Sequence, residues 1–101
     1  MRSNECIFVW PVEWMMNVIL DALELQKATI VFDDASAGVL HYTTEMYGVA
    51  REFRLTITPA ARNRSRVRIE VRSTKSGSEP YHLQMQFALL SSLMANYEDS
   101  G

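Results

Sequence analysis

Arg66-Val67-Arg68-Ile69-Glu70-Val71-Arg72 alternates charged with branched apolar residues over seven consecutive positions. Successive side chains of an extended chain leave on opposite faces, so this stretch reads as a strand with Val67, Ile69 and Val71 in a core and the charged residues in water. The same reading extends upstream. Phe53, Leu55 and Ile57 share one face of a second strand and Arg54, Thr56 and Thr58 the other; Pro59, which lacks a ladder donor, is expected to end it. Thr29–Phe32 and Val39–Met46 supply two further β-prone segments. The turns between the four are Asp33-Asp34-Ala35-Ser36-Ala37-Gly38, Tyr47-Gly48 and Ala60–Arg64. Consecutive strands joined by short turns pair as neighbours, so the segment from Thr29 to Ser73 predicts a four-stranded meander.

Helical spacing brackets the meander. Cys6–Trp10 is a short apolar run that suits a buried strand and stops at Pro11, a residue that fits the first turn of a helix. From Val12 to Lys27 the polar residues Glu13, Asn17, Asp21 and Glu24 form one solvent stripe; Trp14, Met15, Val18, Ile19, Ala22, Leu23 and Leu25 make a broad apolar side opposite it. After a polar loop from Ser73 to Glu79 containing Gly77, Pro80 marks a second helix start with Ser78 or Glu79 as its cap. Leu83, Phe87, Leu90 and Met94 recur at helical spacing, Leu89 and Leu93 widen that stripe, and His82, Gln86 and Ser92 are expected to face water. The tail from Asn96 is expected to fray. The expected architecture is one α+β domain, β-α-β-β-β-β-α: an antiparallel meander sheet of four or five strands, with two helices on one face and the first strand at an edge.

At 101 residues the chain can bury roughly 60 to 70% of its unfolded surface, enough for one core without metal or disulfide staples. The single cysteine, Cys6, forms no internal disulfide and reads as a buried small hydrophobe, which permits a reducing compartment. The first residues have no signal-peptide pattern and no apolar run reaches spanning length, so the expectation is a soluble, cytoplasmic protein without membrane contact.

Pro11, Val12 and Trp14, the strand Val67-Arg68-Ile69-Glu70-Val71-Arg72-Ser73, Gly77, and the closing Leu89, Leu90 and Leu93 carry a resemblance. Over about Ile7 to Leu93 the chain resembles a bacterial family of small β-α-β4-α domains of unknown function. It is more distantly similar to helix-grip domains, including a lipoprotein subunit of the outer-membrane barrel-assembly machinery and START-type lipid-binding proteins. The start of the last helix, Glu79-Pro80-Tyr81-His82-Leu83-Gln84, departs from that family's pattern. The resemblance implies a fold and a bacterial origin, and brings no catalytic residues or cofactor.

Charge is distributed unevenly. Residues 51–75 hold eight of the ten Lys and Arg residues and carry a net +6, against −5 for residues 1–50 and −3 for 76–101. Arg54, Arg66, Arg68 and Arg72 are expected on the uncovered sheet face as a candidate interaction surface, with Glu70 and Glu45 as cross-strand partners. His41 is the one ring expected among them. That scarcity of stacking aromatics, with a negative overall charge, argues against nucleic acid and leaves phosphate binding as a weak alternative.

No nucleophile, base, metal cluster or phosphate-binding glycine loop stands out. Cys6, Asp21 and His41 or His82 make a triad only on paper. The expectation is no enzyme, no cofactor and no metal. Trp10, Trp14, Met15, Met16, Leu20 and Phe87 form the candidate apolar surface, since together they span more directions than one sheet face buries. A binding or assembly module acting through protein contacts follows, as a homodimer or with another protein. A carrier with a small apolar ligand between Trp14, Phe87 and the sheet is the alternative.

Overall fold

The computed structural model describes residues 2–46, 48–72 and 79–100. In chain order these form β1 (Arg2–Phe8), α1 (Val12–Leu25), β2 (Thr29–Asp34), a single 3-10 turn (Ala35–Ala37), β3 (Val39–Met46), β4 (Val49–Ala60), β5 (Arg64–Val71) and α2 (Glu79–Ser100). The five strands make one antiparallel sheet in the order β1-β5-β4-β3-β2, with both helices on one face. The expected α+β architecture is therefore present. The first strand lies at an edge and its neighbour is β5, in a register running from Arg2 opposite Val71 to Phe8 opposite Ser65.

Because β1 and β2 occupy opposite edges, α1 must cross the sheet. Its 14 residues span about 21 Å at 1.5 Å per residue, close to the roughly 19 Å between the outer strands of a five-stranded sheet. Pro11 opens α1, its extended backbone (φ −67°, ψ 164°) presenting a carbonyl that accepts from the amides of Trp14 and Met15. At the other end Lys27 takes φ +56°, its amide donates to Glu24 O, and the Ala28 amide donates to Leu23 O. This is a left-handed closing turn, and it stops the helix at Leu25, two residues short of the expected Lys27.

The core lies between the helices and the inner sheet face. Leu40 and Tyr42 of β3, Phe53, Leu55 and Ile57 of β4, Val67, Ile69 and Val71 of β5, and Phe8 of β1 meet Met15, Val18, Ile19, Ala22 and Leu23 of α1 and Leu83, Leu90 and Met94 of α2. Each such aliphatic side chain contributes about 1.5–3 kcal/mol on burial. The solvent stripe Glu13, Asn17, Asp21 and Glu24 is exposed as expected, while Trp14 and Leu25, assigned to the apolar side, are also exposed.

Several expectations are corrected. Pro59 does not end β4, which continues to Ala60 with Pro59 opposite Ser65. The Ile57 amide donates to Gly38 O on the β3 side, so position 59 faces the same edge beyond Val39, the first β3 residue, where a missing donor costs no ladder bond. Cys6 is exposed, because β1 is an edge strand and only Phe8 of it is buried. His82 and Gln86 are buried rather than facing water. Glu79 is the first residue of α2 and not its cap. The tail is helical to Ser100, with Tyr97 against Trp10 and its hydroxyl donating to the Asp21 carboxylate. Tyr47, the loop of residues 73–78 with Lys75 and Gly77, and the Ser78 cap lie outside the described residues. Among the described residues no helix is long and apolar enough to cross a membrane.

Candidate functional site

The open sheet face carries Arg54, Arg66, Arg68 and Arg72, all exposed, as period-two alternation requires. Their electrostatics differ from a free cationic platform. Arg66 Nε lies 3.2 Å from Glu5 Oε1, Arg68 Nε 3.8 Å from Glu70 Oε1 and Arg72 Nη1 3.1 Å from Glu52 Oε2. Glu70 pairs with Arg68 of its own strand rather than across strands as expected, and the other partners are Glu5 and Glu52 rather than Glu45. Exposed pairs of this kind contribute about 0–1 kcal/mol each, but they neutralise most of the face. Arg54 stands between His41 and Glu70 in register. His41 is not the only ring there: the register of β2 shifts between Ile30 and Phe32, which sets Phe32 opposite His41 with ring centroids 5.3 Å apart.

The residues of the paper triad are dispersed. Cys6 lies on the β1 edge, Asp21 accepts from Tyr97, His41 is on the open face and His82 is in the interior with Arg51. That interior holds a polar group not foreseen from the sequence. Arg51 Nε donates to His82 Nδ1 at 3.1 Å. Tyr42 Oη donates to Gln86 Oε1 at 2.8 Å, and the Gln86 and Gln26 amides bond reciprocally at 2.7 and 3.1 Å. Burial, with the Arg51 charge second, holds the His82 imidazole below its ordinary range, partly offset by Glu79; burial pushes the Tyr42 hydroxyl up. The polar end of the core thus ties the start of α2 to β3, β4 and the end of α1.

The aromatic end lies elsewhere. Trp10, between β1 and α1, meets Trp14 edge-on with centroids 6.0 Å apart and an interplanar angle of 81°; Tyr97 of α2 stands 6.3 Å from Trp10. Trp14 is 60% exposed and Tyr97 41%. These rings, with Asn17, Val18 and Glu98, line a hollow. A second hollow, lined by Ile7, Val9 and Met94 among others, shares Glu98 with the first. Ile7 and Val9 are both exposed, so the apolar surface continues onto the β1 edge.

Of the other residues assigned to the apolar surface, Leu20 is exposed and Met16 half-buried, but Met15 is fully buried because it points at the sheet. Phe87 stacks on Phe8 at 6.5 Å and lines a different depression beside Cys6, Pro80 and Gln84. Trp14 and Phe87, expected to flank one pocket over the sheet, line two separate hollows. The alternation that places Phe53, Leu55 and Ile57 inward reaches Arg51. The spacing 83, 87, 90, 94 reaches Tyr97. Those two extensions were the available signals for the missed residues. The chain matches no protein-family model and no curated protein.

Proposed function

We propose that this chain is a non-enzymatic binding module that acts through protein–protein contacts made by its aromatic end, and that it self-associates there as a dimer. The observation that carries the reading is the exposure of Trp14 beside Trp10 and Tyr97, in a surface continuous with Ile7 and Val9. Clustered exposed aromatics on a small domain mark contact surfaces, and aromatic anchors dominate interface energetics. Apolar rings left in water at this end favour covering by a second protein over enclosing a wholly apolar ligand. A single exposed thiol without a partner cysteine suits a reducing compartment, so the setting we assign is the cytoplasm. Light scattering after gel filtration over micromolar concentrations tests the reading. Mass above the monomer is expected for the native chain and loss of that mass for Trp14→Ala, with an unchanged far-UV circular dichroism spectrum. A native chain that stays monomeric throughout overturns self-association.

A further inference from the structure

We infer that the hollow between Trp10, Trp14 and Tyr97 binds an organic cation, an alkylammonium or guanidinium group. Three aromatic rings converge on one space of about 630 Å³, ample for such a group. The face of each ring carries negative potential, which attracts a cation positioned over it. The Tyr97 hydroxyl donates to the Asp21 carboxylate, which enriches that ring in electron density. Glu98 lines the same hollow and forms no ion pair among the described residues.

The surroundings reinforce the sign. Neither α1 nor α2 contains a lysine or arginine, and the carboxylates placed at this end are Asp21 and Glu98. An anion meets repulsion there. A neutral apolar guest gains from the rings and leaves Glu98 unused. A cation with apolar shoulders uses both, and this chemistry belongs equally to a free quaternary ammonium and to an arginine or lysine side chain of a protein. The inference shares its residues with the proposed contact surface but does not require self-association.

Trp10 and Trp14 are the only tryptophans in the chain, so intrinsic fluorescence reports on this hollow alone. The test titrates the native chain with choline, with N-acetyl-arginine methylamide and with 3,3-dimethyl-1-butanol, the neutral isostere of choline. A saturable tryptophan response to either cation and a much weaker one to the alcohol is expected, and whichever cation binds tighter identifies the source. Glu98→Gln is expected to weaken binding about 1.5-fold to fivefold, the range of one exposed ion pair. Trp14→Leu should abolish it while Trp10 remains as reporter and circular dichroism is unchanged. No response, or an equal response to the alcohol, overturns the cation site. Light scattering on the same samples separates the two readings: a monomer that responds to a cation removes self-association and keeps the site, and an oligomer that does not respond does the reverse.

Discussion

His82 uses its Nδ1 to accept from Arg51, a role open only to the neutral ring. Protonation would remove that acceptor and place a second cation beside a buried guanidinium. The folded-state value of His82 is therefore depressed below the value near 6.5 of an unfolded chain, chiefly by burial. The unfolded state binds the proton more readily, so the stability linked to this residue is fully present above about pH 6.5 and is lost as pH falls through the folded value. Denaturant unfolding at a series of pH values should show that acid loss, and His82→Gln should flatten it. An equally steep loss in the variant would assign the effect to other groups. Gly38 is a second decisive residue. Its φ is +71°, and a Cβ added there would lie 2.4 Å from the Ile57 carbonyl oxygen, the backbone that β4 presents to it. Gly38→Ala should lower unfolding free energy by at least about 2 kcal/mol, left-handed strain and the clash acting together.

At the scale of elements, strands and helices differ in how much of their role is legible. The period of two in β4 and β5 is long enough to set both faces, and β3 keeps its expected bounds because Gly38 and Gly48, both at positive φ, punctuate it. Polar residues on a buried face break the simple reading. Arg51, His82 and Gln86 satisfy one another or neighbours inside the core, and a pattern of apolar spacing has no term for a polar side chain whose partner is distant in sequence. The aromatic end was half legible: Trp10 and Trp14 stand out, but Tyr97 joins them only through helix packing. Element boundaries depend on similarly local chemistry. The closing turn of α1 puts Lys27, a residue with a Cβ, at the left-handed position that glycine occupies most cheaply. Lys27→Gly should raise stability by about 0.5–1 kcal/mol, a reversal of the usual cost of glycine, measurable as a shift in urea midpoint with unchanged slope.

For the whole molecule, charge segregation is the property that decides how two copies can meet. The helices hold six carboxylates and no lysine or arginine; among the described residues every lysine and arginine lies in the strands, turns and loops. The aromatic end sits within the acidic layer, with Asp21 and Glu98 around it. A two-fold dimer through Trp10, Trp14 and Tyr97 sets each acidic rim against its own image. Repulsion across that rim is screened by salt, so raising sodium chloride from low levels to about 0.5 M should tighten such a dimer. A head-to-tail contact, with the acidic layer of one copy on the arginine-bearing sheet face of the next, brings opposite charges together and should weaken over the same range. Sedimentation equilibrium at both salt levels therefore reads the symmetry from the sign of the change. Tightening supports closed two-fold pairing, whereas weakening together with masses beyond the dimer would replace it with an open, heterologous arrangement.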